Sequence, residues 1–122
     1  MKNKVLIIDD EFIICEVAKD MFEILGFEAF TAETRNEAIE CFKENHENIA
    51  IVILDLHIPG TSGIEILKDL FMISKDFISI LASGMYMIED IPKYKEIGFT
   101  DVIDKPYGFE SIKELIKKWI NT

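Results

Sequence analysis

A chain of 122 residues is one domain's worth of sequence, able to bury roughly two-thirds of its unfolded surface without a disulfide or metal staple. Its 23 acidic and 13 basic side chains leave a net charge of −10, the wrong sign for gripping nucleic-acid phosphates. Hydrophobic residues make up 49%, yet no apolar run approaches the ~20 residues of a membrane span.

The opening MKNKVLIIDDEF turns acidic too soon for a signal peptide, so the expected compartment is the cytoplasm. KVLIID (4–9) reads as a buried strand. Residues 11–25 carry Ile14, Val17, Ala18, Met21, Phe22 and Leu25 at helical spacing, and Gly26 suits the position just past the helix end. FEAFT (27–31) is a shorter, more polar strand fit for an edge. Thr34 and Glu37 have the T-x-x-E spacing of a capping box, opening a helix to about residue 46. Cys15 and Cys41, the only cysteines, lack metal or CxxC spacing and fall in apolar helical patterns, where a thiol acts as a small hydrophobe.

IAIVIL (49–54) is the most apolar strand and so belongs at the centre of a sheet. A Pro59-Gly60 turn leads to Ser62 and Glu65, a second capping box, and a helix to about Phe71. FISILA (77–82) is the fourth strand, and residues 84 to 92 are the longest irregular stretch. Pro92 cannot sit in a helix interior, so the fourth helix starts near Asp90 or Ile91 with Pro92 in its first turn, and ends at Gly98. TDVID (100–104) is the fifth strand, and Ile112, Leu115, Ile116, Trp119 and Ile120 line one face of the last helix. Five β-α units in strict alternation predict one α/β domain, a five-stranded parallel sheet with helices on both faces.

The strand ends carry the chemistry. The first ends at Asp9, Asp10 and Glu11, the third at Asp55 and the fourth at Ser83, while Lys105-Pro106 follows the fifth. Ligands of open parallel sheets bind beyond the carboxyl ends of the strands, where strand order reverses. If the first and third strands are neighbours, Asp9, Asp10 and Asp55 crowd together, and carboxyls that close protonate unless a cation joins them. Oxygen-only donors in an open site suit Mg²⁺ or Mn²⁺. A metal beside a carboxylate, a hydroxyl and a lysine points to phosphoryl chemistry, and a carboxylate can itself be the acceptor. Each residue alone has a blander reading: Asp10 as a helix N-cap, Ser83-Gly84 as a turn, Lys105 as a solvated surface lysine. Their shared position at the ends of one sheet's strands favours a site.

Over its whole length, residues 1–122, the chain resembles a response-regulator receiver domain of two-component signalling, similar to the chemotaxis regulators. The resemblance rests on VLIIDDE with Asp9 and Asp10; on VILDLHIPGTSG, which matches D-x-x-x-P-x-x-x-G with Asp55, Pro59 and Gly63; on ILASG with Ser83; and on DVIDKPY with Lys105-Pro106. It implies a flavodoxin-like sheet of order 2-1-3-4-5 in a three-layer domain. It also implies that Asp55 is the phosphoacceptor, becoming a 4-aspartylphosphate. Asp10, Asp55 and the backbone carbonyl of His57 would bind Mg²⁺, with Asp9 acting through a metal-bound water. Ser83 and Lys105 would each meet a phosphoryl oxygen, and the Lys105–Pro106 bond would be cis. The implied donor is a sensor histidine kinase or phosphotransfer protein, and the only catalysis is of the protein's own phosphorylation and dephosphorylation. For the His57 ring, a modulator of phosphoryl lifetime and a plain exposed loop histidine are equal readings.

Receivers usually carry an aromatic three residues before the lysine; here Val102 stands there, a departure from the usual aromatic switch. Met85, Tyr86, Met87, Ile91 and Tyr94 cluster nearby, and Met-rich adaptable surface suits a partner. The face of the fourth helix, fifth strand and last helix is therefore the expected dock for an effector or a second copy, with no nucleic acid or membrane bound by this chain. Other readings fit less well. An Asp-nucleophile phosphatase of haloacid-dehalogenase type needs a second Asp where DLHIP has His57. An FMN carrier needs a Ser/Thr/Gly-rich loop where DDEFII is acidic. A pseudo-receiver kept for contacts alone sits poorly with a complete Asp9, Asp10, Asp55, Ser83 and Lys105 set. The kinase, the output, and whether the chain stands alone or is part of a longer regulator stay open from sequence.

Overall fold

In chain order, β1 (Lys4–Ile8), α1 (Phe12–Ile24), β2 (Glu28–Ala32), α2 (Arg35–Asn45) and β3 (Ile49–Asp55) lead to β4 (His57–Ile58) and β5 (Thr61–Ser62). Then come α3 (Gly63–Phe71), β6 (Ile78–Ser83), α4 (Ile91–Ile97), β7 (Asp101–Asp104) and α5 (Phe109–Trp119). The computed structural model describes residues 2–84 and 88–120. The five long strands form one parallel sheet, β2-β1-β3-β6-β7. With the hairpin strands β4 and β5 set aside, this is the expected 2-1-3-4-5 order. That hairpin pairs His57 with Ser62 and Ile58 with Thr61, where the sequence shows only the Pro59-Gly60 turn. Two residues per strand leave no periodicity to read.

The apolar runs follow from burial on both faces. Val5, Ile7, Ile51 and Ile53 point to the α1 and α5 side, where Ala18, Phe22, Ile112 and Ile116 meet them. Leu6, Ile8, Val52 and Leu54 alternate to the other side, against Phe42, Ile66, Leu67 and Leu70. All seven residues of β3 are buried, as a central strand requires. Both cysteines are free: Cys15 is buried and Cys41 half-buried.

Helix ends follow the cap chemistry with two local differences. Thr34 Oγ1 accepts the Glu37 N–H at 3.1 Å, while the Glu37 carboxylate takes the N–H of Glu33 at 2.9 Å, one residue before the expected partner. Ser62 accepts the Glu65 N–H at 3.2 Å, but the Glu65 carboxylate turns to Thr61 at 3.0 Å and Arg35 at 3.6 Å. Gly26 (φ 95°) and Gly98 (φ 136°) end α1 and α4 in a conformation that favours glycine. Pro92 sits in the first turn of α4 behind Asp90, as read.

Tyr94 corrects one expectation. It is buried at 9% exposure under α4, edge-on to Phe99 with ring centroids 6.4 Å apart. It belongs to the core and is no part of a docking surface. Met85, Tyr86 and Met87 lie outside the described residues.

Candidate functional site

Sheet register brings the candidate side chains to one end of the molecule. Ile8 pairs with Leu54, so the next residues, Asp9 and Asp55, emerge side by side from β1 and β3. Asp55 pairs with Ala82, placing Ser83 one step beyond on β6. Ser83 pairs with Asp104, and the Lys105 N–H donates to the Ser83 carbonyl at 3.1 Å. The Lys105–Pro106 peptide bond is cis, as the resemblance implied.

At the centre stands the Lys105 ammonium, 2.9 Å from Asp9 Oδ2, 3.3 Å from Asp55 Oδ2 and 3.5 Å from Glu11 Oε1. Asp9 and Asp55 are buried, Asp10 is exposed, and one oxygen from each lies within 4.8 Å of the others. The second Asp9 oxygen accepts the Glu11 N–H at 3.0 Å, so both its oxygens are engaged. Burial pushes the Asp55 pKa up and the charge of Asp9 adds to it; Lys105 and the long 3.5 Å contact from the His57 N–H oppose this without cancelling it. Burial works against the Lys105 ammonium, but the two carboxylates outweigh it and hold its pKa above the ordinary lysine value. One lysine thus relieves only part of the negative charge, and a hard cation ligated by oxygen fits the remainder.

The cleft is lined by Asp10, Glu11, Asp55, His57, Ser83, Gly84 and Lys105 and holds about 470 Å³. The His57 side chain is exposed at its rim. A larger recess of about 620 Å³ at the opposite end of the sheet, lined by Leu25, Phe27, Phe77 and Trp119 among others, has only Asp76 as an acid and no convergent carboxylates.

Two details of the site are not visible in the sequence motifs. Asp10 does not cap α1; Glu11 holds the N-cap position, and its side chain makes no cap hydrogen bond. A Glu at a position that favours Ser, Thr, Asp or Asn was a legible signal that this side chain is used elsewhere. The other is Tyr107, whose hydroxyl is buried without a hydrogen-bond partner among the described residues, its pKa pushed up by burial and then by Asp9, Cys15 and Asp55.

The sequence pattern of the response regulator receiver domain matches residues 5–117. The chain belongs to the response-regulator receiver family. This receiver is 29% identical to sporulation initiation phosphotransferase F of Bacillus subtilis, over 98% of this chain and 95% of that protein. It also matches transcriptional regulators, of whose length it spans about half. The crystal structure of a response regulator receiver domain protein from Clostridium thermocellum superposes with a TM-score of 0.87 at 30% identity, covering 98% of this chain and 94% of that one. The CheX-CheY-BeF3-Mg complex from Borrelia burgdorferi gives 0.87 at 26% identity, covering 95% and 87%. Val102 of this receiver, where an aromatic was expected, is half-buried beside Leu81 and packs on the α2–α3–α4 side of the sheet.

Proposed function

We propose that Asp55 is the phosphoacceptor of this receiver and that Asp9, Asp10, Asp55 and the His57 carbonyl hold Mg²⁺, with Mn²⁺ as a substitute. The observation that carries this reading is the Lys105 ammonium set between Asp9 and Asp55 at 2.9 and 3.3 Å, with Asp10 alongside. The donor set is oxygen throughout, which suits a hard divalent cation.

An Asp55 carboxylate oxygen forms a bond to phosphorus while the bond from phosphorus to the leaving atom breaks. That atom is a nitrogen of a phosphohistidine or an oxygen of an acyl phosphate, and it departs with the electron pair. Asp55 is held rigidly at the end of a fully buried strand, so its attack is a matter of positioning. The bound cation supplies neutralisation of charge shared by the carboxylates and the phosphoryl oxygens. Lys105, 3.3 Å from Asp55, offers an N–H to a phosphoryl oxygen, and the buried Ser83 hydroxyl donates to another. The protein catalyses only its own phosphorylation and dephosphorylation.

The product adds about two negative charges at the mouth of β3. Ser83 and Lys105 are joined through the main chain, so both loops respond together, and the face of α4, β7 and α5 carries the change to an effector or a second copy. Receiver domains work with histidine kinases or phosphotransfer proteins, and either fits as the donor here. Two free cysteines agree with the cytoplasm as the compartment. The test is an intact mass after incubation with Mg²⁺ and a small acyl phosphate. One phosphoryl group is gained, and Asp55→Asn abolishes the gain; a wild type that takes none under these conditions refutes the reading.

A further inference from the structure

We propose that Glu11 is a positioning residue that holds Lys105 in the unmodified protein and releases it when a phosphoryl group arrives. The inference rests on the phosphoacceptor reading of Asp55 and extends it to a side chain outside the metal and phosphoryl contacts.

The Glu11 backbone is fixed on both sides. Its N–H donates to Asp9 Oδ1 at 3.0 Å, and its carbonyl accepts the Cys15 N–H at 3.1 Å, which opens α1. Its side chain is free of that work. At the N-cap position it forms no cap bond and extends to Lys105 Nζ at 3.5 Å. A short polar side chain would cap the helix there; a glutamate forgoes the cap and reaches across the cleft.

The ammonium has three N–H donors. Three carboxylates surround it: Asp9 at 2.9 Å, Asp55 at 3.3 Å and Glu11 at 3.5 Å. While Asp55 is still a carboxylate, no donor is left over for a phosphoryl oxygen of the approaching phosphodonor, so one carboxylate must give its share up. The side chains of Asp9 and Asp55 are 3% and 9% exposed, and a buried carboxylate that loses its partner has no water to replace it. The Glu11 side chain is 60% exposed, and water takes over its contact at little loss. Glu11 is therefore the group that lets go. Its pairing exists only before phosphorylation, so it slows the forward step and leaves hydrolysis of the adduct untouched.

The experiment compares wild type, Glu11→Gln and Glu11→Asp. The first variant removes the charge at constant length. The second keeps the charge but withdraws it by one methylene, out of reach of Lys105 and into capping position. Phosphorylation by a small acyl phosphate with Mg²⁺ is followed by intact mass across donor concentrations, and adduct hydrolysis is followed after donor removal. Hydrogen exchange of the Lys105 ammonium is read by NMR in the unmodified protein. Both variants should raise the maximal phosphorylation rate by about 1.4- to 5-fold, the range of an exposed ion pair. Hydrolysis should stay unchanged and ammonium exchange should quicken. If Glu11→Asp matches wild type while Glu11→Gln is faster, a diffuse charge effect explains the data and the proposal is overturned. It is equally overturned if neither variant alters the forward rate. A wild type that accepts no phosphoryl group removes the phosphoacceptor reading itself, and this proposal with it.

Discussion

Gly63 links the stability of the fold to the geometry of Asp55, the proposed phosphoacceptor. It is the first residue of α3, its N–H donates to the Leu56 carbonyl at 3.0 Å, and its φ is not positive, so its backbone conformation alone would admit alanine. The surroundings do not. A Cβ there would run into the carbonyl oxygen of Asp55, and would stand 3.2 Å from its carbonyl carbon and 3.4 Å from Leu56 Cα. These are backbone atoms at the end of a central strand, with Leu56 N–H tied to the Ala82 carbonyl at 3.2 Å, and they cannot swing aside as a side-chain tip could.

Two effects of opposite sign therefore meet in Gly63→Ala. Helix propensity favours alanine by up to ~1 kcal/mol. Overpacking costs about 1–3 kcal/mol, and against backbone the upper half of that range applies. The net is a loss of about 1–2 kcal/mol, which for 122 residues corresponds to a fall in Tm of about 4–8 °C. Relief of the clash moves Asp55 itself, so the proposed phosphorylation should slow as well. Gly60→Ala is the control. Gly60 has φ 79° with nothing near its Cβ position, so that variant loses about 1–2 kcal/mol to backbone strain while Asp55 phosphorylates at the wild-type rate. Urea and thermal unfolding give the stabilities, and intact mass gives the rate. A Gly63→Ala protein as stable as wild type, or more stable, would show that propensity wins and that the close approach is not a constraint.

Tyr107→Phe should be neutral or stabilising by up to about 1–3 kcal/mol in urea unfolding, because it deletes a buried hydroxyl with no partner among the described residues; a clear loss of stability would reveal a bond at that oxygen. Asp101→Asn tests a second charge. Burial raises the Asp101 pKa, but the Trp119 Nε1–H at 2.9 Å, the Val102 N–H at 2.8 Å and Lys118 at 3.1 Å outweigh it and hold the pKa low. A depressed carboxylate stabilises the fold fully above its unfolded pKa of ~3.9 and loses that contribution as pH falls toward the folded value. The stability advantage of wild type over Asp101→Asn should therefore shrink on acidification through pH ~4, and an advantage that grows would contradict the assignment.

Much of this was legible in the sequence because it depends on local rules. The fully buried β3 announced itself as six apolar residues, and Thr34, Ser62, Gly26 and Gly98 marked helix ends through hydrogen bonds or φ values that few residues supply. Asp9, Asp55, Ser83 and Lys105 were legible because each ends or follows a strand and parallel strands share one end. What escaped depends on distance across the fold. Nothing in the local pattern shows that Glu65 turns to Arg35 and Thr61, so its capping box is only half formed. Tyr94 lies among residues that looked like surface, and only its packing against Phe99 reveals it as core. Glu11 was visible as an acid at a strand end, but its reach to Lys105 spans 94 residues of sequence.

Val102 bears on how a change at Asp55 could travel. A β-branched side chain has one strongly preferred χ1, so it cannot swing between buried and exposed positions as an aromatic ring can. It is packed beside Leu81, and the neighbouring pairs Ala82–Ile103 and Ser83–Asp104 continue the ladder to the cleft. Those pairs make the ends of β6 and β7 one unit, closed by the Lys105 N–H on the Ser83 carbonyl. A pull on Ser83 or Lys105 therefore displaces both strand ends together. At the far end of the same pair of strands, Ser79 binds the Gly98 carbonyl at 3.0 Å and the Thr100 N–H at 3.1 Å, anchoring the segment that follows α4. Anchored at Ser79 and closed at Lys105, this pair of strands is a continuous backbone route from the cleft to the segment after α4, and one that needs no rotamer switch at position 102.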